Sequence, residues 1–169
     1  IDAATGAVTL NADPDAETQD QYSFTVVATD AAGNESAGQL VTLDITDLDE
    51  EAPTVTSGDT ADAIDENSGS GQVIYTATAD DSADVSDGVN FSLAAGSDAA
   101  LSIDADTGAV TLNADPDHET QSQYSFTVVA TDVAGNVSEG QAVTLDITDV
   151  DDTAATITSG DTADTIDEN

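Results

Sequence analysis

Four carboxylates fall within the five residues Asp47, Leu48, Asp49, Glu50 and Glu51. Such a density of oxygen donors suits one chemistry above others, the coordination of a hard cation. Further clusters follow at Asp80-Asp81, Asp115-Pro116-Asp117-His118-Glu119 and Asp149-Val150-Asp151-Asp152. Across 169 residues there are 36 Asp and Glu and no Lys or Arg, a formal charge of −36 that internal salt bridges cannot offset. Neutralisation must come from ions in the surroundings. With several carboxylates and no His or Cys cluster, the donor set points to Ca²⁺, which accepts 6 to 8 oxygens in flexible geometry, rather than to Mg²⁺ with its stricter octahedron. The plainer reading is that acids solubilise a surface and populate turns. Four carboxylates between Asp47 and Glu51 exceed what a turn requires.

The same composition excludes other functions. A phosphate backbone or an anionic lipid surface needs the Lys and Arg this chain lacks, so neither nucleic acid nor direct membrane contact is expected. Without Cys there is no disulfide or thiolate site. His118 is the one histidine, and its counterpart in a second copy of the motif is Ala16, so no shared base or ligand role is expected of it. No Ser or Thr has a paired histidine or lysine to activate it, and an enzyme is not expected. No run of about 18 apolar residues and no basic-then-apolar leader lies within the sequence, so no membrane span or signal peptide is expected in this stretch.

The elements that position the acids are set by a repeat. Ile1 to Leu10 recurs as Ile103 to Leu112, and Ser57 to Asn67 as Ser159 to Asn169, at an offset of 102 residues. Over the 67 overlapping positions, 54 are identical and 13 differ. The pattern predicts three units: residues 1–51 as the C-terminal part of one repeat plus its linker, 52–153 as a complete repeat, and 154–169 as the start of the next. Alternating Val, Ile, Thr, Tyr and Phe segments predict strands near residues 53–56, 72–79, 89–93, 101–103, 109–113, 123–131 and 141–148. Seven strands in about 100 residues imply an all-β fold, a tandem seven-stranded Greek-key β-sandwich. Helical periodicity is absent.

If successive strands run up and down, alternate loops emerge at the same end. Asp65-Glu66-Asn67, Asp98, the 115–119 cluster and the exit 149–152 then share the bottom. Asp80-Asp81, Asp104-Ala105-Asp106 and Asp132 share the top with the entering 47–51 segment. Two acid-rich rims result, and stacking places the bottom of one repeat against the top of the next. A rigid junction there requires a counter-ion. Asp104 to Gly108 has the outline of a calcium loop, but its counterpart Asp2-Ala3-Ala4-Thr5-Gly6 lacks the second acid, which favours a Gly-terminated hairpin turn.

Ile103-Asp104 with Thr107-Gly108, Glu119 five residues before Tyr124, the strand end Val129-Ala130-Thr131-Asp132, and Asp47-Leu48-Asp49-Glu50-Glu51-Ala52-Pro53 resemble successive cadherin-repeat motifs. Asp117-His118-Glu119 stands where that family has Asp-Arg-Glu, Glu66 where it has an early loop Glu, and Asp80-Asp81-Ser82 where it has Asp-x-Asp. The linker Asn residues of the family are replaced by Asp49 and Glu51, and by Asp151 and Thr153. The resemblance implies Ca²⁺ bound between consecutive repeats. At a first junction it implicates Asp15 and Glu17 from below, Asp47, Asp49 and Glu50 from the linker, and Asp80, Asp81 and Asp132 from above. At a second it implicates Glu66, Asp117, Glu119, Asp149, Asp151 and Asp152, while Asp30 would serve a junction upstream. The expected function is a calcium-rigidified extender of a long extracellular cell-adhesion protein, similar to repeats of giant adhesins on Gram-negative bacteria. Its partners would be neighbouring repeats through Ca²⁺, with any surface ligand taken by a distal module. The alternative is that the repeats are themselves adhesive, which calls for an exposed aromatic or apolar patch.

Overall fold

A computed structural model describes residues 1–85 and 88–168. Among these the chain forms eleven strands and no helix, an all-β, sandwich-like arrangement. Strands β1 (Gln21–Val26) and β2 (Gln39–Asp44) make an antiparallel hairpin. The larger body follows with β3 (Thr54–Val55), β4 (Ile64–Asp65), β5 (Gln72–Thr76) and β6 (Ala79–Asp80). After these come β7 (Val89–Leu93), β8 (Leu101–Ile103), β9 (Ala109–Leu112), β10 (Gln123–Asp132) and β11 (Gln141–Thr148). One sheet has the order β4-β11-β10-β7 and the facing one β5-β9-β8, with β3-β6 as a two-stranded ribbon.

Alternation decides which side chains fill the space between the sheets. Tyr124, Phe126, Val128 and Ala130 of β10 and Val143, Leu145 and Ile147 of β11 are buried, while Ser125, Ala142, Asp146 and Thr148 are exposed. Val110 and Leu112 of β9 meet them from the other sheet. Each large side chain taken from water contributes about 1.5–3 kcal/mol. Tyr75 packs edge-on against Phe126, ring centroids 5.6 Å apart at 74°, the geometry that aromatic quadrupoles favour.

Two details depart from the strand expectations. The segment predicted as one strand over 72–79 is two, because a register shift between Val73 and Tyr75 bends it and Ala79–Asp80 crosses to pair with β3. Residues 64–65, predicted as loop, form β4 and run parallel to β11, with Ile64 opposite Ile147. A two-residue strand has no alternation to read. Its neighbours extend the contact: the Ala61 N–H donates to the Thr144 carbonyl at 2.9 Å and the Glu66 N–H to the Thr148 carbonyl at 3.1 Å.

Candidate metal centres at the two acidic rims

At the upper rim three segments meet: the linker after β2, the loop after β6 and the end of β10. Asp132, the last residue of β10, is 4% exposed. Its Oδ1 accepts the N–H groups of Gly135 at 2.6 Å and Asn136 at 2.8 Å, which closes the turn beyond the strand. Among the described residues its Oδ2 is buried with no hydrogen-bond partner. Asp30 occupies the corresponding turn after β1, and there the Asn34 side chain donates to the Asp30 Oδ2 at 2.8 Å. In the larger body the equivalent Asn136 amide crosses to the linker, donating to the Asp49 carbonyl at 3.0 Å and its Oδ1 at 3.4 Å. One carboxylate oxygen each from Asp49, Asp81 and Asp132 lies within 4.8 Å of the others. Burial works to raise the Asp132 pKa, but the Asn136 and Gly135 donors hold it below the ordinary Asp value.

A second upper group joins Glu17, Glu50 and Asp84, again with oxygens within 4.8 Å. Asp15, Glu17, Glu50, Glu51 and Asp84 line a cavity of about 370 Å³. The Glu50 N–H donates to Asp84 Oδ2 at 3.3 Å, tying the linker to the loop after β6. Glu17 shares a hydrogen bond with the Asp47 carboxylate, and that contact pushes its pKa up to about 7. Desolvation, followed by the Asp84 and Asp47 charges, raises Glu50.

At the lower rim Glu66 is the organising residue, 3% exposed. Its Oε2 accepts the His118 N–H at 2.8 Å and its Oε1 the Val150 N–H at 2.7 Å, joining the loop before β10 to the exit from β11. Those donors hold its pKa below the ordinary Glu value. Asn67, at φ 57°, turns the chain sharply behind it, a conformation Asn tolerates better than most residues. The Asn67 amide donates to Asp152 Oδ2 at 2.8 Å. Oxygens of Glu66, Asp117 and Glu119 lie within 4.8 Å of one another. The Glu119 backbone N–H acts to lower its pKa, but desolvation and the Glu66 and Asp149 charges outweigh it and keep Glu119 above the ordinary value. A further group joins His118, Glu119 and Asp149.

The structure thus brings together Glu17, Glu50, Asp49, Asp81 and Asp132 above, and Glu66, Asp117, Glu119 and Asp149 below, among the residues singled out from sequence. Asp15 caps its own turn, accepting the Thr18 N–H at 2.8 Å, and Asp47 joins through Glu17. Asp80 points to its own loop, accepting the Ser82 N–H at 3.1 Å, and belongs to none of the four groups. Nor do Asp30, Asp151 and Asp152. Asp84 was not foreseen. It lies three residues beyond Asp81, and only the folded loop turns it towards Glu50.

A buried carboxylate oxygen without a donor among the described residues, set among all-oxygen ligands in a chain with no Lys or Arg, fits a hard divalent cation of the Ca²⁺ type. The cadherin domain model matches residues 61–148. Human protocadherin Fat 1 is 30% identical over 174 residues, a match that takes in 100% of this chain and 4% of that protein. The Drosophila melanogaster protocadherin-like wing polarity protein stan is 32% identical over 158 residues, covering 88% of this chain and likewise 4% of its own length. The chain therefore spans a small fraction of these relatives. The crystal structure of mouse cadherin-23 EC22-24 superposes with a TM-score of 0.62 at 28% identity, over 84% of this chain and 47% of that one. With the strand order, the two acidic rims and these likenesses in agreement, the chain belongs to the cadherin family.

Proposed function

We propose that the chain is a calcium-rigidified spacer segment of a long extracellular adhesion protein, with Ca²⁺ held where consecutive repeats meet. Cadherin-family proteins are adhesion proteins rather than enzymes, and the acids here gather at the two ends of the sandwich, where stacked neighbours would meet. On this reading residues 52–153 are one complete repeat, 1–51 the end of the preceding one and 154–169 the beginning of the next. The ligands at the upper rim are Glu17, Asp49, Glu50, Asp81, Asp84 and Asp132, supported by Asp15 and Asp47. Those at the lower rim are Glu66, Asp117, Glu119 and Asp149, with Asp151 and Asp152 on the exit. Bound Ca²⁺ supplies positive charge and a shared coordination shell. The near-identity of the copies, 54 of 67 positions, fits a repeated spacer on a bacterial surface better than a series of distinct binding modules.

The observation that carries this reading is the buried Asp132 carboxylate, which meets Asp49 of the linker and Asp81 of the loop after β6. From the same turn Asn136 reaches across to Asp49. Weak sites serve such a role, since extracellular modules work at Kd values of roughly 10⁻⁴ to 10⁻³ M. Free Ca²⁺ at about 100 times Kd would stabilise the stacked state by about 2.7 kcal/mol per site. Calorimetric titration should show discrete Ca²⁺ stoichiometry, and X-ray scattering should show the chain stiffening as the sites fill. A scattering profile and melting temperature unmoved by chelator would overturn the proposal. An adhesive role for the repeat itself has less support, because Phe91, Tyr124 and Phe126 are buried and Tyr75 packs on Phe126.

A further inference from the structure

Glu119 belongs to two groups of different chemistry. With Glu66 and Asp117 it offers only oxygen; with His118 and Asp149 it offers oxygen and an imidazole nitrogen. The second group is held from both sides by one buried carboxylate. Glu66 fixes the His118 backbone through Oε2 and the Val150 backbone, next to Asp149, through Oε1. His118 Nδ1 lies 4.0 Å from Asp149 Oδ2. That is beyond hydrogen-bond reach, yet a closure of roughly half an ångström gives the spacing of two tetrahedral ligands about 2.1 Å from one ion.

We propose that His118, Glu119 and Asp149 form a site for a borderline divalent ion of the Zn²⁺ class, and that this ion competes with Ca²⁺ for Glu119. The inference rests on the reading of the lower rim as a Ca²⁺ site and adds a second metal that opposes it. Imidazole favours Zn²⁺, Ni²⁺ and Cu²⁺, whereas Ca²⁺ selects oxygen. A three-ligand Zn²⁺ site is completed by water. The upper rim has no counterpart, since Ala16 stands where the lower rim has His118. An ion of this class would therefore loosen one junction and spare the other.

The sequence contains one histidine, so a single imidazole reports the site. Zn²⁺ titration of the full chain, followed by ¹⁵N NMR in Ca²⁺-free buffer, should shift the His118 Nδ1 resonance to saturation. Excess Ca²⁺ should weaken that binding. His118→Ala and the size-conserving His118→Gln should lose Zn²⁺ affinity by at least the roughly 10- to 100-fold that follows loss of an outer-shell partner, since His118 is itself a ligand. Ala16→His, beside Glu17 and Asp47, should create a second Zn²⁺ site. An unmoved imidazole resonance, or variants that bind Zn²⁺ as tightly as the wild type, would overturn the site. Zn²⁺ binding through His118 that ignores Ca²⁺ would overturn the competition. Calorimetric Ca²⁺ uptake in Zn²⁺-free buffer tests the underlying junction separately, so absence of a Ca²⁺ site is told apart from absence of a Zn²⁺ site.

Discussion

Asp30 and Asp132 are the same residue of the same turn, set apart by the Asp49 and Asp81 carboxylates beside Asp132. In both, backbone N–H groups satisfy Oδ1. Replacing Asp132 by Asn keeps an oxygen for those donors and removes the charge from the open position. Asp132→Asn should therefore fold without Ca²⁺ as the wild type does but lose much of the Ca²⁺-dependent rise in melting temperature, whereas Asp30→Asn should leave that rise intact. Glu17 gives a prediction for pH. Its carboxyl is shifted from 4.5 to about 7 by the hydrogen bond shared with Asp47. A group whose folded pKa is raised stabilises the fold fully below its unfolded value and loses that contribution as pH climbs through the folded one. In chelator, the contact between Glu17 and the linker should accordingly be firmest below about 4.5 and loosen towards about 7. Hydrogen exchange of the Glu50 N–H, which bonds to Asp84, is the readout. Glu17→Gln, which keeps a donor at every pH, should flatten the profile. The acids themselves were legible as clusters in the sequence. Their selection was not: Asp80 and Asp81 are adjacent, yet strand pairing turns one into its loop and sets the other beside Asp49 and Asp132.

Identical segments with different fates show what an element needs in order to form. Residues 7–10 and 109–112 both read Ala-Val-Thr-Leu. The second is β9, paired with β5 on one side and β8 on the other; the first is irregular, with Val8 and Leu10 partly exposed. The alternation in the sequence identified which side chains could face a core. Whether a strand exists there depended on neighbours to share its hydrogen bonds. The hairpin β1–β2 forms in both copies because its pairing is internal, even down to the cross-strand Gln21–Asp44 and Gln123–Asp146 hydrogen bonds at 2.6 and 2.7 Å. The glycines closing the preceding turns separate two kinds of strain. Gly6 and Gly108 both have positive φ, 72° and 69°. A Cβ at Gly6 would meet nothing within 4 Å, whereas at Gly108 it would lie 2.5 Å from the Ala77 carbonyl oxygen. Gly6→Ala should cost about 1–2 kcal/mol of left-handed strain. Gly108→Ala should cost more and disturb the Ala77–Gly108 backbone bond, as chemical denaturation of the two variants will show.

For the whole molecule, the governing fact is 36 acids with no lysine or arginine. Partners that a lysine would supply elsewhere are here amides, hydroxyls and backbone N–H groups, as in the Gln123–Asp146 bond across β10 and β11. Such donors fix carboxylates in place but do not cancel their charge. Monovalent salt should therefore raise the melting temperature in chelator by screening repulsion over about 8–10 Å, and Ca²⁺ should add a further rise that saturates at low millimolar concentration. A chain stabilised equally by Na⁺ and Ca²⁺ at matched ionic strength would have diffuse screening rather than sites. The pairing of β4 with β11 carries a last consequence. These strands lie side by side and run the same way, one near the entrance to the sandwich and the other at its exit. Tension applied through the linkers would drag them in opposite directions along their length. The bonds between Ala61 and Thr144, Thr144 and Asp59, and Glu66 and Thr148 would then be sheared together instead of being unzipped in turn. An optical trap pulling on the two ends should meet a single abrupt yield point, and Ile64→Pro should lower it.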